Sequence, residues 1–482
     1  MTRAWAFVLV LACASAREAA ADDHVLLIGG GYAPEASQAQ IELNVRWLQK
    51  LLAERRPDAA LETYFNVGPG HPEVRDVVIG SADTGTVSEP LARVFGVGAR
   101  HALRFYPSNV PGLSGGTDKA TLVARLAALF GSLAPGDGLL FVYNGHGSGD
   151  PEDAGNNALR LWGDQPLSAR ELGGLLDRIP AGTRARLFFP QCYSGGFQRV
   201  IRPEGKDTRE VIAADRCAFF SQDELLEAEG CTPSIDVGEY RDYSTYFFSA
   251  LSGQTRIGAP LAFDPDRNHD GKVTLREAHF YSLVAADSVD LPSSTSEAFL
   301  ERWRPWYLRW TASGPRPDNV YSALADELAA RLFVEPGADA AVRAREARAE
   351  AAGQHAKIAQ TRADLAGQIA ALARPIRFAL EERWPGLMRP YTHAFAQAYA
   401  SDFARANLFV SRQPGYAELV AKQDEDRRLE LEDLAVRRRA ANLDRYLRLR
   451  DLARALRAFE AVASSTDRAA HARLVACEDS PL

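Results

Sequence analysis

The chain has 482 residues, 46% of them hydrophobic and 25% charged, so it can bury a core large enough for two or three domains. This composition excludes a disordered or fibrous protein. The formal net charge of -7 argues against a general polyanion binder, because nucleic-acid-binding domains usually carry a basic excess, and no nucleic-acid partner is expected.

The N-terminus has the pattern of a secretory signal peptide. A basic Arg3 precedes the apolar run AWAFVLVLACA, and small residues follow it. We predict that residues 1–21 are a signal peptide cleaved after Ala21, which places the protein in the periplasm or outside the cell. The alternative is a lipobox at VLAC, in which Cys13 is lipidated and the mature protein is a membrane-anchored lipoprotein. No later stretch is long and apolar enough to span a bilayer.

Residues 22–290 alternate short apolar runs with amphipathic helices, a pattern typical of an α/β fold with a parallel sheet. Buried strands are predicted at residues 25–28, 139–143 and 185–189. Ser168 and Glu171 have capping-box spacing and predict the start of a helix. Another helix is predicted after Asp118.

Two polar residues follow predicted strands. His146 lies in NGHGSG, just past the strand at residues 139–143, and Cys192 lies in PQCYSGG, just past the strand at 185–189. Ligands of open parallel sheets bind beyond the carboxyl ends of the strands, so the two side chains are expected at one site. A cysteine nucleophile needs a base, and histidine has a suitable pKa. The Gly147 N–H could hold the oxyanion of a tetrahedral intermediate.

Each residue taken alone is more typical of core packing than of catalysis. Together, and flanked by glycines, they favour thiol-based acyl transfer. GLSGG, at residues 112–116, matches the nucleophile elbow of serine hydrolases, but YPSNVP precedes it where the elbow needs a strand. Ser114 is therefore not a predicted nucleophile.

Export would place the remaining cysteines in an oxidising compartment. Cys217 and Cys231 are close in sequence and flank a polar loop, so they are the favoured disulfide pair. Cys477 could compete for either of them. Four cysteines permit three pairings, and the sequence leaves the choice open.

The segment DRNHDGKVTLRE, residues 266–277, matches the loop of an EF-hand. Its calcium ligands would be the side chains of Asp266, Asn268, Asp270 and Glu277 and the backbone carbonyl of Lys272. Gly271 stands where the loop needs a sharp turn. We predict calcium as a structural cofactor; an acidic turn without calcium is the alternative.

The C-terminal part of the chain has a different pattern. Residues 291–317 form a Trp-rich connector that contains WRPWYLRW, predicted to pack between the domains or else to shape a cleft. Residues 318–482 are rich in Ala, Arg, Glu and Leu and predict long helices, with breaks at Pro375, Pro385, Pro390 and Pro414. These helices are expected to pack as a hairpin or bundle on the first domain, or to bind a partner protein as a coiled coil.

The pairing of strand-His-Gly with strand-Gln-Cys-x-x-Gly resembles the caspase-like cysteine peptidases of clan CD, and most closely the secreted bacterial members of the legumain family. The resemblance covers roughly residues 25–290. It implies a caspase-like parallel-sheet sandwich, a catalytic dyad of His146 and Cys192, and an oxyanion site at Gly147. The stretch GYAPEASQAQ, residues 31–40, lacks the asparagine and the Arg-His pair that legumains carry there, so cleavage after asparagine is not predicted.

The sequence thus predicts an exported cysteine endopeptidase that hydrolyses peptide or protein substrates through an acyl-enzyme and needs no cofactor for the chemistry. One alternative is a catalytically inactive calcium-binding scaffold of the same fold, whose long helices hold a partner protein. The other is a peptide ligase that uses the same acyl-enzyme. A membrane partner is expected only if Cys13 is lipidated.

Overall fold

The structure is a computed structural model. It describes residues 22–70, 75–81, 90–94, 101–230, 235–303, 317–332, 334, 339–389 and 392–482. The predicted signal peptide, Cys13, Cys231 and most of the Trp-rich stretch lie outside these residues. In the part of the chain that is described, no helix has the length and apolar character needed to cross a membrane.

The chain alternates strands and helices before it becomes entirely helical. The strands are β1 (Asp23–Gly30), β2 (Ala60–Phe65), β3 (Arg75–Ser81), β4 (His101–Pro107), β5 (Leu113–Gly115), β6 (Gly138–Ser148), β7 (Ala158–Leu161), β8 (Gln165–Ser168), β9 (Arg184–Phe189), β10 (Asp215–Phe220) and β11 (Ser293–Ser294). The α-helices are α1 (Ala39–Arg55), α2 (Pro90–Val94), α3 (Lys119–Ser132), α4 (Ala169–Leu176), α5 (Tyr243–Ser252), α6 (Leu275–Ala285), α7 (Thr295–Trp303), α8 (Val320–Arg331), α9 (Ala340–Arg383), α10 (His393–Ser411), α11 (Tyr416–Val462) and α12 (Ser465–Glu478).

A mostly parallel sheet forms the centre of the fold. Among the described residues it has nine strands, with the order β11-β10-β9-β6-β1-β2-β5 and with β7 and β8 extending from the end of β6. The pairs from β5 to β10 along this order are parallel, and β11 is antiparallel to β10. The three predicted strands are β1, β6 and β9, so the predicted α/β class is confirmed.

Helices cover both faces of the sheet, because alternate side chains of each strand point to opposite sides. On one face, Val25 and Leu27 of β1 pack with α1, α5 and part of α6. On the other, Leu26 and Ile28 pack with α3, α4 and the C-terminal helices. Both predicted helix starts also form: α3 follows Asp118, which caps it, and Ser168 and Glu171 make the predicted capping box of α4.

The C-terminal region is a long helical hairpin built on this domain. Helices α9 and α11 run antiparallel. The ion pairs between them show this, since residue numbers increase along α9 as those of their partners on α11 decrease. These pairs are Arg348–Asp444, His355–Asp433 and Arg362–Asp426. The C-terminal half of α11 packs in the core of the sheet domain, where Tyr446 and Leu449 are buried.

The predicted break at Pro375 is wrong, because α9 continues through this residue to Arg383. Proline removes one backbone hydrogen bond and crowds the preceding turn, but tertiary packing can offset that cost. Ala373, Ile376 and Leu380 are buried on either side of the proline against Leu91 of α2. These contacts hold the helix together where the local sequence favours a break.

The favoured disulfide pairing of Cys217 with Cys231 is also wrong. Cys217 of β10 is bonded to Cys477 of α12, 260 residues away along the chain. Both cysteines are buried, because α12 returns over the sheet and covers β10 and β9. Next to the bond, the buried carboxylate of Glu478 accepts hydrogen bonds from the side chains of Ser294, Thr295 and Ser296. Proximity in sequence could not reveal this return of the chain.

Trp303 is the one tryptophan of the WRPWYLRW stretch inside the described residues. Its Nε1 donates to Asp467 at 3.1 Å, and its ring packs edge-on against Phe459 at 4.8 Å between centroids. It therefore joins α7 to α11 and α12, as the packing interpretation expects.

Removing the disulfide should destabilise the protein strongly. In the chain-entropy description, a crosslink that closes a loop of this length contributes about 5 kcal/mol. We expect Cys217→Ala/Cys477→Ala to lower the free energy of unfolding by several kcal/mol in denaturant titrations. Cys192→Ser, which leaves the crosslink in place, should have a much smaller effect, and equal losses for the two variants would contradict the assignment.

Candidate active site

Parallel pairing of β6 and β9 brings His146 and Cys192 to the same edge of the sheet. Val142 of β6 is in register with Phe188 of β9, and each functional residue lies four positions beyond its member of this pair. The backbone of Gly147 lies directly against that of Cys192. A Cβ added at Gly147 would lie 2.0 Å from the carbonyl oxygen of Cys192, so only glycine permits this approach.

The imidazole of His146 is oriented by the loop between β1 and α1. Its Nε2 lies 2.8 Å from the backbone oxygen of Ala36 and 2.9 Å from Oε1 of Gln38. A carbonyl oxygen can only accept a hydrogen bond, so Nε2 carries the proton in this arrangement. Nδ1 is then the basic nitrogen of the neutral ring.

The orienting loop is itself fixed in place. Gly31 donates its backbone N–H to Oδ1 of Asn66 at 2.8 Å, and Ser37 bonds to the same oxygen. A Cβ at Gly31 would lie 2.4 Å from the oxygen of Ala36, so glycine lets the loop fold back on itself. The loop therefore delivers the Ala36 carbonyl to the imidazole with little freedom.

An aromatic and a cationic side chain stand beside the imidazole. The ring of Tyr32 meets His146 edge-on at 5.3 Å, and the guanidinium of Arg160 lies 3.6 Å above the Tyr32 ring. Burial, together with the charge of Arg160, lowers the pKa of His146 below its usual value of 6.5. The ring is therefore neutral at pH 7 and able to accept a proton.

Cys192 is partly buried, and its thiol faces a backbone carbonyl. Its Sγ lies 4.0 Å from the oxygen of Ala228. Burial raises the pKa of the Cys192 thiol to about 11, and the nearby carboxylates of Glu227 and Asp290 act in the same direction. In this arrangement the sulfur is a thiol, not a thiolate.

Tyr193, the next residue, has a left-handed backbone with φ of 59°. A bulky residue adopts this conformation only when its surroundings impose it, and such positions are common at functional sites. It begins the short 3-10 helix Ser194–Ile201, which turns the chain sharply away from the end of β9.

A small polar pocket lies beside Cys192. Its walls include Gln191, Asn144, Ser244 and Asp242. Asp242 accepts hydrogen bonds from Gln40 and Asn44 of α1. Within the described part of the chain, both amide atoms of Gln191, Nδ2 of Asn144 and Oγ of Ser244 are buried without a hydrogen-bond partner. Buried polar groups are normally hydrogen-bonded to protein or to ordered water, and the pocket, with a volume of about 20 Å³, has room for about one water molecule.

The predicted calcium loop, residues 266–277, forms a tight turn around the carboxylate of Asp266. The carboxylate of Asp266 accepts the backbone N–H groups of Asp270 and Gly271, and Gly271 has a φ of +83°. Glu277 forms the capping box of α6 with Thr274. Among the described residues, no three or more His, Cys, Asp or Glu side chains are gathered as metal ligands.

Several of these residues are invisible to sequence reasoning. The carbonyl of Ala36 carries no side-chain signal, and Gln38 lies in the stretch where the sequence shows no legumain-like catalytic residue. Gln191 could have been suggested from the sequence, because it directly precedes Cys192. Asn144, Ser244 and Asp242 join the pocket only because β6 passes it and α5 begins beside it.

Comparison with known proteins leaves the family open. No family model matches the chain, and no curated protein matches it. Among solved structures, the crystal structure of a protein from Geobacter sulfurreducens aligns with a TM-score of 0.33 and 14% sequence identity, over 57% of this chain and 92% of that one. This similarity is too low to indicate a shared function.

The raised pKa of Cys192 predicts slow alkylation near neutral pH. Because the thiolate is the reacting form, the rate should still be rising at the alkaline end of a series from about pH 6 to 10, whereas an ordinary thiol with a pKa of about 8.5 levels off. Iodoacetamide labelling of the non-reduced protein, quantified by mass spectrometry of the peptide containing Cys192, measures this. Glutathione is the control, and a rate that levels off near pH 8 would refute the assigned environment.

Proposed function

We propose that this protein is an exported cysteine peptidase of the caspase-like type, with His146 as general base and Cys192 as nucleophile. The observation that carries the proposal is the orientation of His146. Its Nε2 is bonded to the Ala36 carbonyl, and its ring stands at the sheet edge that also carries Cys192. A base held in one tautomer at the sheet edge that carries a nucleophile is suited to thiol-based acyl transfer.

In the proposed reaction, Nδ1 of His146 takes the proton of the Cys192 thiol, and Sγ attacks the carbonyl carbon of the scissile peptide bond. The N–H of Gly147 stabilises the resulting oxyanion. When the C–N bond breaks, the imidazolium gives its proton to the leaving amine and an acyl-enzyme remains. His146 then deprotonates a water molecule, which hydrolyses the thioester and frees the acid and the thiol.

The polar pocket has a volume of about 20 Å³, room for about one water molecule, so it would have to widen to hold the side chain that precedes the scissile bond. It lies next to Cys192, and its unpaired amide and hydroxyl groups would be satisfied by a polar side chain. Binding there would fix the carbonyl carbon near Sγ, which is the positioning effect that accelerates such reactions.

Export is supported by the disulfide between Cys217 and Cys477, because such bonds persist in oxidising compartments. A periplasmic or secreted location is therefore part of the proposal. The lipoprotein alternative depends on Cys13, which is outside the described residues.

A second candidate is a catalytically inactive scaffold of the same fold. It is favoured by the environment of Cys192, whose thiol is shielded and has a raised pKa. In that case the long hairpin of α9 and α11 would hold a partner protein, and Cys192 would be a packing residue. Peptide hydrolysis that depends on Cys192 would distinguish the peptidase from the inactive scaffold.

We also propose that the loop at residues 266–277 binds calcium as a structural ion. The ligands would be the side chains of Asp266, Asn268, Asp270 and Glu277 and the carbonyl of Lys272, all oxygen donors of the kind that calcium prefers. The loop begins the buried helix α6, so calcium would stabilise the sheet domain without entering the chemistry.

The peptidase proposal predicts hydrolysis that depends on both residues of the dyad. In a peptide library varied at the residue before the scissile bond, Cys192→Ala and His146→Ala should each lower kcat/KM by about 10³-fold or more. Ser114→Ala, which removes the hydroxyl of the elbow-like motif, should retain activity. If wild type stays inactive with calcium and after limited proteolysis, the scaffold is the better description.

The calcium proposal predicts ion-dependent stability. Calcium at 100 times its Kd should stabilise the wild type by about 2.7 kcal/mol, measured as a rise in Tm over the chelated protein. Asp270→Asn keeps the hydrogen bond that residue 270 accepts from Lys272 but removes a ligand charge, so it should reduce the rise. Asp264→Asn, just outside the loop, is the matched control, and no rise in the wild type would exclude the site.

A further inference from the structure

The thiol of Cys192 is covered by an irregular segment after β10, residues 223–230, which we name the strap. The strap contacts the proposed nucleophile and its neighbour. The oxygen of Ala228 is the one that faces Sγ at 4.0 Å, and the oxygen of Leu226 accepts the backbone N–H of Tyr193 at 2.8 Å. A peptide in extended conformation cannot approach Sγ from this side while the strap is in place.

Hydrogen bonds hold the strap against the site. Nδ2 of Asn157 donates to the oxygen of Glu224 at 2.8 Å and to that of Tyr193 at 2.9 Å. Gln222 donates to the oxygen of Glu227 at 3.0 Å. Gly195 lets the strap lie close, because a Cβ there would be 2.5 Å from the backbone nitrogen of Glu224.

Apolar packing contributes little to the closed position of the strap. The side chains of Leu225 and Leu226 are 68% and 45% exposed. A segment that is held by polar contacts and buries few apolar groups opens at a lower free-energy cost than the core. The strap is therefore attached in a way that permits opening without unfolding the sheet.

One end of the strap is tied to the helical region. Arg438 of α11 forms a bidentate ion pair with Glu229, with Nε 3.1 Å from Oε1. Glu229 also accepts the backbone N–H of Val289 at 2.8 Å. Both partners are largely buried, so this pair is less screened by solvent than a surface ion pair.

The position of Arg438 is fixed because α11 is anchored two turns further along. The fully buried Arg445 donates to the backbone oxygens of Leu283, in the last turn of α6, and Ala286, directly after this helix. Arg448 pairs with the buried Glu297 of α7. Movement of α11 relative to the sheet domain would therefore act on Glu229 and through it on the strap.

We propose that the strap is an autoinhibitory cover for Cys192 and that the Arg438–Glu229 ion pair holds it closed. The inference rests on the proposed peptidase function for its biological meaning, although the cover itself does not depend on it. Whatever breaks this pair, whether substrate binding or displacement of α11, would expose Sγ to a peptide. The helical region would thus control access to the site instead of only stabilising the fold.

The experiment is alkylation of Cys192 by iodoacetamide at neutral pH without reductant, quantified on the peptide that contains Cys192. Arg438→Ala breaks the pair from the helix, and Glu229→Gln breaks it from the strap while keeping an acceptor for Val289. Both should speed alkylation by about five- to thirtyfold, the change expected when an opening equilibrium loses a partly buried ion pair. Arg438→Lys keeps the charge but loses the bidentate contact, so its alkylation rate should lie between those of wild type and Arg438→Ala.

Arg437→Ala is the matched control, since Arg437 is exposed and adjacent on α11. Circular dichroism and Tm show whether each variant is folded. If Arg438→Ala does not fold, Glu229→Gln tests the role of the ion pair. Wild-type rates in both pair-breaking variants, or an equal rise in Arg437→Ala, would overturn the proposal.

Peptide hydrolysis measured on the same samples separates this proposal from the peptidase assignment. Faster alkylation in the pair-breaking variants, without peptide hydrolysis in any variant, would support the proposal that the strap covers Cys192 and contradict the peptidase assignment. Peptide hydrolysis by the wild type, with no change in alkylation when the ion pair is broken, would support the peptidase assignment and contradict the proposal that the strap covers Cys192.

Discussion

Parallel pairing of β6 with β9 is the constraint on which the rest of the site depends. Because parallel strands end at the same edge of a sheet, this pairing places the backbone of Gly147 against that of Cys192 and brings His146 to the same edge. The loop from β1 to α1 can orient the imidazole only because β1 is the other neighbour of β6. Three strands and the loop after β1 therefore position the proposed base, the proposed nucleophile and the carbonyl that orients the imidazole.

Burial has opposite consequences for the two members of the dyad. It keeps His146 neutral and so able to accept a proton, but it also keeps Cys192 protonated. A thiol in this state is unreactive, and the carbonyl oxygen of Ala228 in the strap lies 4.0 Å from its sulfur. The structure is thus that of a resting form in terms of the proposed chemistry. Burial raises the pKa of the thiol and Glu227 of the strap acts in the same direction, whereas the contact with the Ala228 carbonyl opposes it.

The helical region and the sheet domain form one body. The disulfide of Cys217 with Cys477, the hydrogen bonds to Glu478 and the buried face of α11 all cross between them. A chain whose last helix is bonded to a central strand cannot lose its helical region without exposing the sheet. This integration places Arg438 of α11 against Glu229 of the strap, next to the candidate active site.

The sequence by itself determined the α/β class, the strands that lead to His146 and Cys192, the start of α3 and the capping box of α4, because these depend on local periodicity and on short-range hydrogen bonds. It misplaced the partner of Cys217 and the end of a helix at Pro375, since both depend on segments far apart in the chain. The Ala36 carbonyl, the polar pocket and the strap were decided only by the tertiary structure. A backbone oxygen has no side-chain identity, and a pocket exists only where several chain segments meet.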